Sequence, residues 1–495
     1  MSAPTRAEGA ALRALRAVGA WLEERTGLGA QIGEVAGHTV PRDTASWWYV
    51  FGSASLTAFA MQVVTGICLA TVYTPSANDA WTSLVQLDQG VPLGWFLRAL
   101  HGWGSNFMVA LVLVHMVQVF LFGAFKYPRE LTWTVGVLLL LMTLGMAFTG
   151  QVLRFDQDAY WGLGIGASIA GRMPLVGSRV VHMLLGGPII AGATLSRFFA
   201  LHVFVIPGAL LALVGLHLLL VLRLGINEWP MPGRLVDRVT YRQRYEEQVH
   251  ADGVRFFPDA AQRDVVFAGI VILALVACAA VFGPIGPGGQ PDPAIIDTVP
   301  APDFFFLWIY SLFALLPPSV ETPLILIGPV VAIGLLFALP FLSGTGEKSW
   351  RRRPFAVITV VLLALTMGTL TYLGTFAPWS PVMEAWSALP TPAPYLEDRS
   401  PLQIQGALIV QAKQCRNCHA LGGEGGRRGP ALDSVATRLT RDQLIRQVLQ
   451  GGGNMPAYGK NLSPSEVTAL VAFLETLHPP GQVPARNASA TPVGN

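Results

Sequence analysis

Seven long apolar stretches, separated by polar loops, occupy most of the chain up to residue 376. An α-helix needs about 20 apolar residues to cross the roughly 30 Å hydrocarbon core of a bilayer, and each stretch is long enough. The pattern therefore predicts an all-α membrane protein with seven transmembrane helices. We place them at residues 46–73, 95–122, 131–150, 196–222, 264–284, 321–343 and 355–376.

Composition and charge support this interpretation. Hydrophobic residues make up 52% of the chain and charged residues 13%, whereas about a quarter of a soluble domain is charged. The net charge of +3 is too small to indicate nucleic-acid binding. Because basic loops stay on the cytoplasmic side of a membrane, we expect the N-terminus and the loops after the second, fourth and sixth spans to face the cytoplasm. Their basic residues are Lys126, Arg129, Arg234, Arg238, Arg242, Arg244, Lys348, Arg351, Arg352 and Arg353.

Composition also divides the chain outside the spans. Residues 1–45 are polar and Arg-rich and lack the apolar core of a signal peptide, so we expect a cytoplasmic amphipathic segment on the membrane surface. The Pro-, Ser- and Ala-rich residues 377–400 predict a linker. A compact domain is expected at 401–478 and a disordered tail at 479–495. Seven spans from an inside N-terminus place this domain on the outer side.

Four histidines lie in the second and fourth apolar stretches at matched spacings. His101 and His115 are fourteen residues apart, and His202 and His217 are fifteen apart. At 3.6 residues per turn, each pair returns to nearly one helix face, about 21–22 Å apart along the axis. A lone histidine on an apolar helix is usually a packing residue, but ionisable side chains inside a membrane are costly and mark functional sites. Since both helices run inward, we expect His101 with His202 to bind an outer b-type haem and His115 with His217 an inner one.

Glycines repeat at the same interval in the first and third apolar stretches. A haem inserted between helices needs positions without a side chain where the macrocycle approaches the backbone. Close helix packing through small residues is the alternative explanation. The four glycines are Gly52, Gly66, Gly136 and Gly150.

One arginine precedes the first histidine of each pair. Arg98 stands three residues before His101, and Arg197 stands five before His202. Both cations would suit the propionates of the outer haem. The alternative is an arginine whose charged end extends to the membrane surface.

A further cofactor signal is the sequence Cys415-Arg-Asn-Cys418-His419. Two cysteines at this spacing could form a redox dithiol, a disulfide or half of a zinc site, but a directly following histidine indicates covalent c-type haem. His419 would be one axial ligand. Met455, the only methionine after the motif, is expected to be the other, because a thioether raises the haem potential. A core methionine, with histidine or water as the sixth ligand, is the alternative.

Parts of the chain resemble a known family. The sequence from Trp95-Phe-Leu-Arg-Ala-Leu-His101 through Phe125-Lys-Tyr-Pro-Arg-Glu-Leu-Thr-Trp133, with Leu195-Ser-Arg-Phe-Phe-Ala-Leu-His202, resembles cytochrome b of the quinol-oxidising bc and b6f complexes. The absence of an eighth span is similar to the type built from cytochrome b6 and subunit IV. The resemblance implies a b6-like four-helix dihaem domain at 46–225 and a subunit IV-like three-helix domain at 226–376. The C-terminal domain resembles a small all-α class I cytochrome c.

The resemblance implies a quinol oxidation site near the outer haem and a quinone reduction site near the inner one. Pro302-Asp303-Phe304-Phe305 occupies the loop where the family carries a Pro-Glu-Trp-Tyr motif. Asp303 would accept the proton of quinol, with a pKa brought near the working pH by partial burial. An ordinary loop acid before an interfacial helix is the alternative. The outer connections 151–195 and 285–320 are expected to pack over a site at the membrane surface.

Other positions depart from the family. Val50 stands where cytochromes b6 attach an extra haem through a cysteine, so we expect no third covalent haem. Gln118 stands where the family usually has an arginine for an inner-haem propionate. Cys68 and Cys278 lie in apolar stretches and are expected to pack as small hydrophobic residues.

Together these features predict the core subunit of a bacterial quinol:cytochrome c or plastocyanin-type oxidoreductase in the inner membrane. It would divide quinol electrons between a separate Rieske iron–sulfur protein with haem c and the two b haems, and so translocate protons. The expected partners are this Rieske protein, the quinone pool, an electron acceptor and a second copy of the complex. The alternatives are a dihaem anchor that passes electrons linearly to a periplasmic partner, and an inactive member of the family.

Overall fold

The computed structural model describes residues 10–187, 190–292, 302–316, 318–376, 390–425, 429–451, 455, 458–459, 462–482 and 485. Within these residues, seven helices are long and apolar enough to cross a membrane. The predicted all-α architecture with seven spans is therefore confirmed. The spans are Phe51–Ala70, Gly94–Leu121, Glu130–Leu153, Gly192–Leu224, Phe256–Phe282, Val320–Leu342 and Pro354–Phe376.

Shorter helices precede the bundle, cover its loops and build the C-terminal domain. In chain order, the α-helices are α1 (Ala10–Thr26), α2 (Leu28–Gly37), α3 (Phe51–Ala70), α4 (Ala80–Gly90), α5 (Gly94–Leu121), α6 (Glu130–Leu153), α7 (Gln157–Gly171), α8 (Gly177–Leu185), α9 (Gly192–Ala200), α10 (Ile206–Leu224), α11 (Tyr241–Asp252), α12 (Ala261–Phe282), α13 (Phe304–Leu315), α14 (Pro318–Leu342), α15 (Pro354–Phe376), α16 (Pro401–Ala412), α17 (Val435–Arg438), α18 (Arg441–Gln450) and α19 (Pro464–Leu474).

Helices α3, α5, α6 and α10 share one apolar core at mid-height. Ala58 and Phe59 lie in the middle of the interval between Gly52 and Gly66 on α3, and their neighbours in the core come from the equivalent level of the other helices. Small and aliphatic residues thus fill the space between the two histidine levels. The cluster consists of Ala58, Phe59, Met108 and Leu210, with Val63, Leu111, Val112, Leu139, Met142, Met146, Ile206 and Val214 packed against it.

The fourth span contains a π-helical turn, Leu201–Val205, between α9 and α10. The amide of Ile206 bonds to the carbonyl of Leu201, five residues back. A π turn accommodates one extra residue in a helix. This turn, which begins next to His202, accounts for the fifteen-residue spacing on this span against fourteen on α5.

Loops that carry the predicted basic residues meet on one face of the bundle, which we call the basic face. Strand β1 (Thr39–Pro41), before the first span, pairs antiparallel with β2 (Gly253–Arg255), between the fourth and fifth spans. Lys126 Nζ, between the second and third spans, donates to Ser343 Oγ at 3.0 Å, after the sixth. These segments therefore share one side of the membrane, as alternating spans require.

The remaining loops meet on the opposite face. The indole Nε1 of Trp103 donates to the Gly283 carbonyl at 3.0 Å, which fixes the start of the loop after the fifth span to α5. Farther along this loop, Gln157 Nε2 of α7 donates to the Asp292 carbonyl at 3.1 Å. The connections predicted to cover a surface site therefore contact each other.

The C-terminal domain packs α16 against α19. The two backbones approach so closely at Gly406 that a Cβ there would collide with the Ala469 carbonyl. Strands β3 (Ala420–Leu421) and β4 (Glu424–Gly425) form a short hairpin after the cysteine motif. The most buried core side chains are Ala407, Val410, Leu421, Leu444, Ala469, Leu470, Val471, Phe473 and Leu477.

Part of the predicted linker packs on this domain. Thr391 is buried and its hydroxyl donates to the Ala407 carbonyl at 3.2 Å, while Tyr395 packs against the core. Residues 377–389 lie outside the described part of the chain. Thr391 and Tyr395, two residues of the predicted linker 377–400, therefore pack on the C-terminal domain.

Candidate redox sites

His101 of α5 and His202 of the π turn face each other across the bundle. Their ring centres are 6.2 Å apart and their planes differ by 80°. Two imidazoles that bind one metal from opposite sides, at about 2.0 Å per bond, have ring centres about 6 Å apart. The observed separation therefore fits one iron between the two rings.

His115 and His217 form the second level of the bundle, closer to the basic face. The two rings are near enough to interact electrostatically. The Nδ1 atom of each ring is buried and lacks a hydrogen bond of normal geometry within the described residues. The structure therefore brings together both histidine pairs that the spacing predicted.

The four predicted glycines lie against these imidazoles. A Cβ at Gly150 would approach His202 Cε1 to 2.7 Å, which no real side chain tolerates. At three of the four positions, a Cβ would come within 3.3 Å of the imidazole, so the absence of a side chain leaves space for the histidine rings themselves. The corresponding distances to Cε1 are 3.1 Å from Gly66 to His101, 3.3 Å from Gly52 to His115 and 3.7 Å from Gly136 to His217.

The two predicted propionate partners already hold protein partners on the opposite face. Arg98 Nε donates to Asp88 Oδ1 at 2.8 Å, and this ion pair is largely buried. Arg197 Nη1 donates to the carbonyls of His182 and Met183. Their role toward a haem stays a prediction, and sequence reasoning missed Asp88, which lies in α4 without any periodic signal.

The cysteine motif forms a tight turn at the edge of the C-terminal core. Cys415 packs against that core, and burial together with the neighbouring Cys418 raises the pKa of its thiol to about 12. His419 Nδ1 lies 2.7 Å from the Pro430 carbonyl. Because a carbonyl can only accept, Nδ1 carries the proton and Nε2 is free to bind a metal. Gly429 borders the ring so closely that a side chain there would overlap it.

Met455 packs against the same core cluster as Cys415. Its Sδ lies 3.5 Å from Gln447 Nε2. The flanking residues 452–454 and 456–457 lie outside the described part of the chain. The donor set of Cys415, Cys418, His419 and Met455 fits a covalent haem c by its chemistry.

The predicted quinol motif precedes α13. Asp303 stands at the N-terminus of this helix but makes no capping hydrogen bond. Burial raises the pKa of its carboxyl, while Arg154 opposes this shift. Phe305 is buried against Val109 of α5, whereas Phe304 is 44% exposed. Pro302 is half-buried beside Asp303.

Sequence reasoning missed a buried acid next to this motif. Asp156 is 1% exposed and accepts the amides of Gly288 at 2.8 Å and Ala159 at 2.9 Å. Its carboxylate also lies 3.3 Å from Arg154 Nε. Asp156 thereby joins the connections after the third and fifth spans. Only an Arg-x-Asp sequence at the end of an apolar stretch could have signalled it.

A buried charged network lies on the basic face. Lys348 Nζ lies 2.9 Å from Glu228 Oε1, and Tyr241 OH donates to Glu228 Oε2 at 2.7 Å. Arg129 Nη1 donates to the same tyrosine oxygen at 2.6 Å. Burial alone would raise the pKa of Glu228, but Lys348, Arg129 and Tyr241 together lower it to about 2. Arg129 and Lys348, whose charges predicted the topology, therefore connect the loops after the second and sixth spans to the loop after the fourth.

Three segments of the chain match known protein families. Residues 36–225 match the family described as "Cytochrome b/b6/petB", and residues 292–390 match "Cytochrome b(C-terminal)/b6/petD". Residues 403–474 match "Cytochrome C oxidase, cbb3-type, subunit III". These matches confirm the resemblance on which the sequence prediction depended.

Individual relatives agree with these matches. Cytochrome b6 of Heliobacterium mobile is 40% identical over 209 residues, which is 42% of this chain and 98% of the relative. The menaquinol:cytochrome c reductase cytochrome b subunit of Geobacillus thermodenitrificans is 36% identical over 42% of this chain and 96% of its own. A chain of a hyperthermophilic respiratory Complex III superposes with a TM-score of 0.62 and 29% identity, over 73% of this chain and 92% of that chain.

Proposed function

The chain belongs to the cytochrome b/b6 family and ends in a cbb3-type cytochrome c domain, and from this premise we propose that it is the core subunit of a quinol:cytochrome c oxidoreductase that bifurcates quinol electrons. The b6-like part would be 46–225, the subunit IV-like part 226–376 and the cytochrome c domain 401–478. The observation that carries the proposal is that two facing histidine pairs, a haem c motif and a half-buried loop acid, Asp303, occur in one chain.

Three haems would be held by side chains already described. His101 and His202 would hold one b-type haem, His115 and His217 the other, and the C-terminal motif with Met455 the covalent haem c. When bound, these groups supply one-electron redox chemistry in two branches. One branch consists of a Rieske protein and haem c, and the other consists of the two b haems. The Rieske partner is a separate protein, since Cys415 and Cys418 are assigned to haem.

Asp303 would accept a proton from quinol. Its carboxyl lies among buried groups where its pKa is raised, so it titrates closer to the working pH than an exposed aspartate. Arg154 provides a nearby positive charge that favours the ionised form. Phe305, packed against α5, would exclude water from the proton-accepting side. The proton would then leave on the face of the bundle that is opposite to the basic face.

Quinone would be reduced near the His115–His217 level, where protons are taken up from the basic face. On this face, the buried Tyr49 hydroxyl interacts with the buried side chain of Asn227. We assign this face to the cytoplasm of a bacterium and the C-terminal domain to the outer side. Release and uptake on opposite sides would translocate protons, in a complex expected to be dimeric.

A dihaem anchor would use the same four histidines. It would have no use for two acids, the buried Asp156 and the half-buried Asp303, where the connections after the third and fifth spans meet. The arrangement therefore favours quinol oxidation over linear transfer.

Asp303→Asn is expected to slow quinol-driven cytochrome c reduction by about 10²–10⁴-fold, because the amide cannot accept a proton. The rate of the unmodified complex should rise with pH through the raised pKa of Asp303, since only the ionised carboxyl is a base. In the Asp303→Asn variant, this rise of the rate with pH should be absent. The measurement is the initial rate with purified complex and its Rieske partner from about pH 5 to about pH 8.

Two variants control this experiment. Asp303→Glu retains a carboxyl and should retain most of the rate. Asp79→Asn removes an exposed acid at the start of α4 on the same face and should leave the pH profile unchanged. An unaltered rate and pH profile in Asp303→Asn would remove Asp303 from the mechanism.

A further inference from the structure

The two histidine levels differ in what the second ring nitrogen contacts. Thr65 Oγ1 lies 2.9 Å from His101 Nδ1, and Thr149 Oγ1 lies 3.0 Å from His202 Nδ1. Among the described residues, no hydroxyl bonds to Nδ1 of His115 or His217. The polar groups that interact with these two rings are the Gln118 side chain and the Thr132 backbone, respectively.

The two levels also differ in the residue that precedes each glycine in the sequence. Thr65-Gly66 on α3 and Thr149-Gly150 on α6 are the same dipeptide, in which glycine makes room for the ring and the preceding threonine reaches Nδ1. At the other level, the corresponding dipeptides are Phe51-Gly52 and Val135-Gly136, which have no hydroxyl.

The direction of these hydrogen bonds follows from the hydroxyls. Thr65 Oγ1 also donates to the Met61 carbonyl at 2.6 Å, and Thr149 Oγ1 donates to the Gly145 carbonyl at 2.9 Å. A hydroxyl has one hydrogen, so each oxygen can only accept from the imidazole. Both rings therefore carry their proton on Nδ1 and present the lone pair of Nε2 to a metal.

We propose that Thr65 and Thr149 are positioning residues that lower the redox potential of the haem held by His101 and His202, relative to the haem held by His115 and His217. A ring that donates from Nδ1 is a stronger ligand to iron through Nε2. Stronger donation stabilises the oxidised more than the reduced metal. An electron at the first level would then be driven toward the second, and thus toward the basic face. This inference builds on the haem assignment of the proposed function.

The test is redox titration of the b haems in complexes carrying Thr65→Val, Thr149→Val and both changes. Valine keeps the shape and removes the acceptor. Each single change should favour reduction of the first-level haem by about fivefold, the size of one net hydrogen bond. At 59 mV per tenfold for a one-electron couple, this is about 40 mV. The second-level haem should keep its potential.

Three comparisons make the result specific. Thr65→Ser and Thr149→Ser keep the hydroxyl and should keep the original potential. Thr143→Val removes a buried hydroxyl on α6 that donates to the Leu139 carbonyl, away from the rings, and should change neither potential. His202→Leu, which removes the first-level ligand, identifies which titration wave belongs to which level.

The outcomes separate the two proposals. Unchanged potentials in the valine variants, with both b haems retained, would overturn the threonine proposal and leave the proposed function standing. Fewer than two b haems in the unmodified complex would instead overturn the haem assignment. If the double variant fails to assemble, the single valine and serine variants give the same comparison.

Discussion

A His202→Leu variant is expected to lose one of two b-type haems. Leucine fills the same space in the fourth span but offers no lone pair, so the pair with His101 cannot hold iron from both sides. The ratio of b-type to covalent haem should fall from about two to about one, and quinol-driven cytochrome c reduction should fall to background. Haem c in the same chain provides the internal standard for a pyridine haemochrome measurement.

His250→Leu is the matched control for this change. His250 is an exposed histidine at the end of α11, outside the seven spans. This variant should keep both the haem ratio and the rate. A His202→Leu complex with an unchanged ratio would contradict the pairing.

Replacing Cys415 and Cys418 together with alanine is expected to remove all covalent haem from the chain. Two thioethers attach haem c, and Val50 occupies the position where a further covalent attachment would need a cysteine. The b haems are held by histidines alone and should remain. A haem-stained denaturing gel measures the covalent haem, and the visible spectrum of the native complex measures the b haems.

Cys68→Ala and Cys278→Ala are the controls for this experiment. Both cysteines lie in membrane spans, on α3 and α12, and the staining should be unchanged when they are replaced. Residual haem on the denatured Cys415→Ala, Cys418→Ala chain would show a further covalent site and would refute the inference from Val50.

The spans and the histidine levels could be predicted because their signals are local. A membrane helix depends on its own apolar length, and the spacing of His101 and His115 depends only on helix geometry. The predicted bounds differ from the observed ones where another local structure precedes the helix. The first span was predicted from residue 46, but Trp47–Tyr49 form a 3-10 turn and the helix begins at Phe51.

The partners of charged groups could not be predicted in the same way. Lys348 and Glu228 are 120 residues apart, and Arg129 reaches Tyr241 over 112. Such contacts depend on how loops from different spans fold together, and no periodicity in the sequence marks them. Their basic members were therefore assigned to the cytoplasmic surface, whereas the structure buries them.

The position of the glycines could be predicted, but the reason for glycine at these positions only in part. Their fourteen-residue repeat predicted a relation to the histidine levels, and the structure places each of them against an imidazole. The threonines before Gly66 and Gly150 went unnoticed, because one hydroxyl on an apolar helix normally bonds to its own backbone. Only the tertiary contact with Nδ1 gives Thr65 and Thr149 a partner outside their own helices.

Bifurcation of quinol electrons is tested most directly by rapid-mixing spectroscopy on the purified complex with its Rieske partner. Quinol and a pulse of oxidant are added while quinone reduction at the basic face is blocked by an inhibitor. The proposed function predicts transient reduction of the b haems while haem c becomes oxidised. If the b and c haems change only in the same direction, the chain is a linear conduit and the proposed function is wrong.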